Sequence, residues 1–233
     1  VVDSRSRFWK PFAFPLGNNR CLSVASWVDN IFAFAKSSSA ALQILGDVEH
    51  ELSRKWNLSI KPDSREIIVC QGQHNEAPEE WKRVEVLNCL GHKISHNCGI
   101  RKDWDSVKPK MWVVFWKNSA NSRIKDINFE MKLSLLVSVV FSTVSWKFGR
   151  WPFQKTVAVE IDSMMTNMVA ILTGITMTEG EEWVAFVRRR RRVARDICSR
   201  LGFWSLLWAN RQISWHEHVS RKGGVLGWIL KYR

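Results

Sequence analysis

An aspartate and an asparagine stand side by side between two hydrophobic stretches in SWVDNIFAFAKS, residues 26 to 37. A carboxylate at the tip of a hairpin can bind a hard divalent cation such as Mg²⁺, and Asn30 can add a neutral oxygen beside Asp29. Asp and Asn are also common in turns, because both tolerate turn dihedrals. The pair therefore predicts either a Mg²⁺ ligand at Asp29 or an ordinary turn.

Five consecutive arginines lie in EEWVAFVRRRRRVARDICSRLG. On a helix, this pattern separates an apolar face from a basic one. The predicted apolar face consists of Trp183, Phe186, Val193, Ile197 and Leu201. The predicted basic face consists of Arg188, Arg189, Arg191, Arg192 and Arg195. Such guanidinium groups predict contacts to nucleic-acid phosphates, although a solvated helix face or a nuclear-import signal has the same pattern.

Four residues of zinc-ligand type occur close together, at Cys89, His92, His96 and Cys98. Their spacing fits no standard zinc finger, and alternation along a predicted hairpin would distribute them over both faces. The zinc interpretation is therefore not favoured. His216 and His218 are two positions apart, and residues at this spacing do not face each other on a helix. They are assigned no site.

The chain contains 14 tryptophans, which could stack on nucleic-acid bases. Most of them fall at apolar positions of predicted helices, as Trp183, Trp204 and Trp208 do. Core packing is therefore the favoured interpretation of nearly all of them.

Charge is distributed unevenly along the chain. Residues 1 to 100 carry 12 Lys or Arg against 11 Asp or Glu, a net charge of +1. Residues 101 to 233 carry 23 against 11, a net charge of +12. A basic half beside a neutral half predicts one region that meets a polyanion, either nucleic acid or an anionic membrane surface. A cationic surface that serves only solubility is the alternative.

Composition indicates a folded chain, since 233 residues with 45% hydrophobic content can build a core. The longest apolar run, residues 133 to 146, is too short and too polar to cross a bilayer. Five cysteines without regular spacing suit a reducing compartment, so a nuclear or cytoplasmic location is expected. The chain starts with Val and shows no signal peptide, which favours a processed or fragmentary start.

The first hundred residues predict an α+β layer. After an irregular lead-in at 1–20, strands flank the Asp29 turn between 21 and 35. A capped helix follows the serine cluster, with an apolar stripe at Leu42, Leu45, Val48, Leu52 and Trp56. Two strands interrupted by Pro62-Asp63 and a hairpin around Gly91 complete the layer, which extends over residues 21–98.

Residues 99–233 predict an all-helical region. Apolar periodicity indicates helices over 104–118, 121–147, 155–173 and 203–220. Thr178 and Glu181 have capping-box spacing, which predicts a further helix from there to Arg200.

Four segments of residues 20–98 resemble the reverse transcriptases of non-LTR (LINE-type) retrotransposons. In that family, an aromatic-x-Asp-Asp turn between palm strands is followed by a helix, a strand pair and a hairpin containing Leu-Gly. The corresponding segments here are WVDN at 27–30, the helix of 38–56, NLSIKPDSREIIV at 57–69 and VLNCLGHKIS at 86–95. The helical remainder resembles the thumb and connecting region, with less specific motifs.

The resemblance implies RNA-directed DNA synthesis with Mg²⁺ on an RNA-DNA duplex. In that chemistry, carboxylates from two neighbouring strands hold two metal ions. Here Asp29 matches the first turn aspartate, whereas Asn30 stands at the second position. The family's earlier catalytic strand has no counterpart in the 28 residues before Asp29, whose one acid is Asp3.

We therefore expect a truncated or degenerate copy of the polymerase, inactive alone but able to bind an RNA-DNA duplex or RNA. A separate upstream polymerase fragment would be a possible partner, and a membrane is not an expected one. The alternative is a non-enzymatic basic helical protein that serves as a binding module or scaffold.

Overall fold

The computed structural model describes residues 8–17, 20–27, 30–69, 81–89, 91–95, 99–119 and 127–222. The fold is α+β, as the sequence predicts: short β-hairpins and one long helix come first, and helices follow. The chain divides into two compact units, Val1–Gly99 and Ile100–Arg233. Each unit has its own hydrophobic core.

The first unit begins with an antiparallel hairpin of β1 (Phe14–Gly17) and β2 (Arg20–Leu22). Residues 1–20 were predicted to be irregular, and this prediction is wrong at β1, which lies inside that stretch. Gly17 precedes two asparagines, and these residue types favour hairpin turns. That turn signal is the feature that the sequence prediction overlooked.

A second hairpin carries the Asp29 turn. β3 (Val24–Trp27) and β4 (Asn30–Ala33) are antiparallel, with Trp27 directly opposite Asn30. Val28 and Asp29 lie outside the described residues. The strand-turn-strand prediction is confirmed in outline, but its first strand begins at Val24 because Cys21 and Leu22 pair with β1 instead.

Helix α1 (Ser38–Trp56) follows the hairpins and begins as predicted at the serine cluster. The Ser37 hydroxyl accepts the Ala40 amide hydrogen bond at 3.2 Å, which satisfies one free donor of the first turn. The buried stripe centres on Ile44 and Val48, which pack with Trp9. The buried face therefore differs in part from the predicted stripe: Val48 belongs to both, whereas Trp56 is 53% exposed.

The described residues that follow α1 in the first unit form a 3₁₀ turn and four short strands. Pro62–Ser64 forms a 3₁₀ turn, and only the second of the two strands predicted around it is present. β5 (Glu66–Ile67) pairs in parallel with β6 (Lys82–Arg83). β7 (Val86–Cys89) and β8 (His92–Ser95) form the predicted antiparallel hairpin. Gly91 in its turn has φ of 79°, a conformation that favours glycine.

The regular secondary structure in the described residues of the second unit is all helical, and turns and short loops connect the helices. Its helices are α2 (Arg101–Ser119), α3 (Phe129–Leu135), α4 (Ser142–Ser145), α5 (Lys155–Leu172), α6 (Trp183–Leu201) and α7 (Trp204–Lys222). A π-helical segment, Leu136–Phe141, joins α3 to α4. Among the helices that are described, none combines the length and the apolarity that crossing a bilayer requires.

Residues 121–147 were predicted as one helix, and the structure modifies that prediction. Residues 120–126 lie outside the described part, and α3 begins after Asn128, whose side chain accepts the Met131 amide hydrogen bond at 2.8 Å. The helical run ends in turns at 146–150, close to the predicted break before Pro152. Apolar periodicity could not show the π-helical widening inside the run.

The core of the second unit confirms the predicted faces of α2 and α5. Val107, Met111 and Phe115 of α2 are buried, and so are Val157, Ile161, Met164 and Met168 of α5. An aromatic cluster adjoins them, in which Trp208 stacks on Phe148 at 5.4 Å and meets Trp151 at 6.0 Å. Trp204 and Trp208 are therefore core residues, as predicted.

Two carboxylates of α5 form hydrogen bonds to the neighbouring helices α2 and α7. Glu160 accepts a hydrogen bond from Trp104 Nε1 at 3.0 Å and also contacts Arg101 and Lys108 of α2. These contacts, the Trp104 bond first, lower the Glu160 pKa to about 2. Asp162 accepts the Ser205 amide at 2.9 Å and the Ser205 hydroxyl, which caps the first turn of α7.

A buried ion pair joins the start of α2 to the turn after α4. Lys147 Nζ lies 2.9 and 3.1 Å from the two carboxylate oxygens of Asp103, and Trp151 Nε1 donates to the same carboxylate at 2.8 Å. Both charged side chains are only 3% exposed. Burial of opposite charges requires good geometry and additional hydrogen bonds, and this arrangement supplies both.

We predict that Asp103→Ala lowers the free energy of unfolding of the second unit by about 3–5 kcal/mol, because Lys147 would remain buried without its counter-charge. Urea unfolding followed by far-UV circular dichroism measures the loss. Asp196→Ala is the matched control, since it breaks the exposed Asp196–Arg200 pair and should change stability by no more than about 0.5 kcal/mol. Equal effects of the two variants would contradict the prediction.

Candidate nucleic-acid interface

Helix α6 carries the arginine run and packs one face against the core. Its buried residues are Phe186, Ala194 and Cys198, and burial raises the pKa of the Cys198 thiol. The predicted apolar face was therefore partly wrong. Trp183 is 66% exposed, and Val193 and Leu201 are also exposed.

Four of the predicted phosphate-contacting arginines point away from the core. Arg188, Arg191, Arg192 and Arg195 are exposed, and they form no hydrogen bond or ion pair with any residue that the structure describes. Arg188, Arg192 and Arg195 follow one another at spacings of four and three, which places them along one side of α6. Their charges are available to a ligand.

The fifth predicted arginine has a partner within the protein. Arg189 Nε donates to Glu181 Oε1 at 2.9 Å, and its Nη2 donates to Glu181 Oε2 at 2.6 Å and to the Thr176 carbonyl at 3.1 Å. The Arg189 contact and the hydrogen bond from the Thr178 amide lower the pKa of Glu181 to about 2. Arg189 is thus already bonded to a carboxylate, unlike its exposed neighbours.

Arg190 was not predicted to have a role. Its Nε donates to the carbonyl of Ala170 in the last turn of α5 at 2.9 Å. The last carbonyls of a helix lack partners within the helix, and a cation there also interacts favourably with the negative end of the helix dipole. No local pattern in the sequence separates Arg190 from the arginines beside it.

The predicted capping box is present as a contact but not as a cap. The Thr178 amide and hydroxyl both donate to Glu181, at 3.1 and 3.0 Å. Helix α6 begins only at Trp183, however, so this contact closes a turn before the helix.

A groove lies between α2, α5 and α6 and has a volume of about 350 Å³. Its wall includes Trp112 from α2, Asn167 and Ile171 from α5, and Trp183 and Arg191 from α6. The prediction that Trp183 packs in the core is wrong, because Trp183 is 66% exposed and lines this groove. Sequence periodicity missed the groove, since it scores a tryptophan as apolar wherever the residue lies.

The candidate metal ligands are only partly within the described residues. Asn30 is exposed at the first position of β4, while Asp29 lies outside the described residues. Strands β1 to β4 carry no acidic residue, so their described residues cannot supply the second carboxylate of a two-ion site. The metal pair that the resemblance implies therefore has no carboxylate ligand among the described residues of these four strands.

The zinc-type residues divide in the same way. Cys89 and His92 are directly opposite each other in β7 and β8, hence on one face, whereas His96 and Cys98 lie outside the described residues. No group of three or more potential ligands occurs within the described ranges. His216 and His218 are exposed on α7, where His218 stacks on Trp215 at 6.0 Å.

Comparison with known proteins gives no significant match to a family model, to a curated protein or to a solved structure.

We predict that Glu181 titrates near pH 2 in the folded chain and that Arg189→Gln moves its pKa toward the ordinary value of 4.5. Because folding lowers this pKa, the stabilisation is present above about pH 4.5 and is lost as pH falls toward 2. Carbon-detected NMR of the side-chain carboxyl measures the titration. Arg188→Gln, which removes an exposed arginine, should leave it unchanged. A native Glu181 pKa near 4.5 would contradict the assignment.

Proposed function

We propose that the second unit binds nucleic acid through the exposed arginines of α6. The observation that carries the proposal is the set of four exposed guanidinium groups on this helix, Arg188, Arg191, Arg192 and Arg195, without a carboxylate partner among the described residues. Phosphate oxygens accept paired hydrogen bonds from guanidinium in a geometry that suits arginine better than lysine.

The spacing of these arginines supports an extended polyanion as the ligand. Arg188 and Arg192 are separated by about 6 Å along the helix axis, and Arg195 lies about 4.5 Å further on. Flexible arginine side chains at these intervals can reach successive phosphates of one strand. The net charge of +12 for residues 101–233 adds a long-range attraction that would speed association at low salt.

We further propose that the chain is a degenerate copy of a non-LTR retrotransposon reverse transcriptase. The support is the order of segments: a hairpin around WVDN, then helix α1, then the β7–β8 hairpin with Gly91 in its turn. Its ligand would then be an RNA-DNA duplex or RNA. The alternative function is that of a basic helical scaffold that binds an acidic protein.

We predict that replacing all four exposed arginines with Gln greatly weakens binding to an RNA-DNA duplex and reduces its salt dependence. Each lost phosphate contact reduces the magnitude of the slope of log K against log salt by about 0.9 on a regular duplex, so the loss of four contacts should reduce it by about 3.6. Fluorescence anisotropy between about 50 and 200 mM salt measures both quantities.

Single variants provide the matched control. Arg192→Gln should weaken binding more than Arg200→Gln, because Arg200 is on the same helix but is paired with Asp196 at 2.8 Å. Undetectable binding of the native chain at low salt, or unchanged affinity of the fourfold variant, would reject the nucleic-acid role. The scaffold alternative would then be favoured.

We predict that this chain gives no primer-extension product with Mg²⁺, and that Asn30→Asp alone does not restore one. Asn30 adds no charge, and no neighbouring carboxylate occurs on β1 to β4. Extension of a labelled primer on an RNA template is the measurement, with an active reverse transcriptase as positive control. Product that disappears in Asp29→Ala would overturn the prediction of an inactive polymerase.

A further inference from the structure

The groove between α2, α5 and α6 is lined in part by aromatic and apolar side chains, which are not the groups that bind the phosphates of a duplex. Trp112 and Trp183 contribute indole rings, and Ile171 adds apolar surface. Asn167 contributes an amide, which can both donate and accept hydrogen bonds. At about 350 Å³ the groove is at the small end of the range for ligand sites.

The positive charge of the groove favours a planar ligand that carries an anionic group. Arg190 and Arg191 both line the groove, and no Asp or Glu is among the described residues that do so. Arg190 is held by its hydrogen bond to the Ala170 carbonyl, while the exposed Arg191 remains available at the rim. An anionic group attached to a planar ring complements this combination.

The exposure of Trp183 supports a ligand that stacks. Its indole is 66% exposed and lies 5.5 Å from the Phe186 ring, so a large apolar surface faces solvent at the mouth of the groove. On the α2 side, Trp116 stacks on Trp112 at 6.3 Å with 23° between the planes and is 50% exposed. The aromatic surface thus continues one helical turn beyond the groove.

We propose that this groove receives an unpaired base of single-stranded nucleic acid, which stacks on the indoles while its flanking phosphates contact Arg191 and the neighbouring exposed arginines. The inference rests on the proposed nucleic-acid binding and specifies its ligand. A base in a duplex has both faces covered by its neighbours, so stacking in the groove requires an unpaired strand. Base-aromatic stacking tolerates every sequence, because each base has a π-face.

The test compares a 12-nucleotide single strand with a blunt duplex of the same sequence by fluorescence anisotropy. Trp183→Leu should weaken single-strand binding about tenfold and change duplex binding less than about twofold. Because Trp183 is exposed, the variant should fold, which circular dichroism verifies. Trp183→Phe keeps an aromatic ring and should retain most of the affinity.

Trp56→Leu is the matched control, since Trp56 is 53% exposed in the first unit and should not affect either ligand. In a single strand that carries 2-aminopurine, native protein should quench the base fluorescence and Trp183→Leu should quench it less. Duplex binding without a Trp183 effect on the single strand would overturn the groove proposal and leave the arginine proposal standing. If the native chain binds neither ligand, both proposals are wrong.

Discussion

The ion pair between Lys147 and Asp103 is the constraint on which the second unit depends. It connects the first turn of α2 to the turn after α4, and the Trp151 indole also donates a hydrogen bond from Nε1 to Asp103. The Trp151 carbonyl in turn accepts hydrogen bonds from Trp208 Nε1 and from Gln212 of α7. A buried charge without its partner is strongly unfavourable, so an arrangement that separates Lys147 from Asp103 is disfavoured. The aromatic core forms around a polar centre.

Helix α5 connects α2 to α6, the helix that carries the candidate interface. Its Glu160 is bonded to α2, and its last turn accepts Arg190 of α6. Because Arg190 and the buried Ala194 fix which side of α6 meets α5, the exposed arginines must face outward. The same packing brings Trp112 and Trp183 to the two sides of one groove. Basic helix and aromatic groove therefore have a single structural origin, the contact of α6 with α5.

Much of the helical fold was predictable because long apolar stripes at helical spacing determine both the element and its buried face, as in α2 and α5. The site was less predictable. Ala194 is fully buried in the core, but hydrophobicity gives so small a residue little weight beside Val193 or Trp183. Five adjacent arginines look alike in sequence, and only tertiary contacts distinguish Arg189 and Arg190 from the rest. The two-residue strand β5 depends on a parallel partner distant in sequence, which no local pattern reveals.

The cap on α7 has a consequence for how the chain folds. The first turn of this helix is bonded to Asp162, which lies 43 residues earlier in the sequence. An isolated helix has unfavourable nucleation and gains most of its stability from packing. The α7 segment released from a ribosome would therefore stay frayed at its start until α5 has formed and the intervening chain has closed into a loop. Helix α7 thus folds cooperatively with the core and not as an independent element.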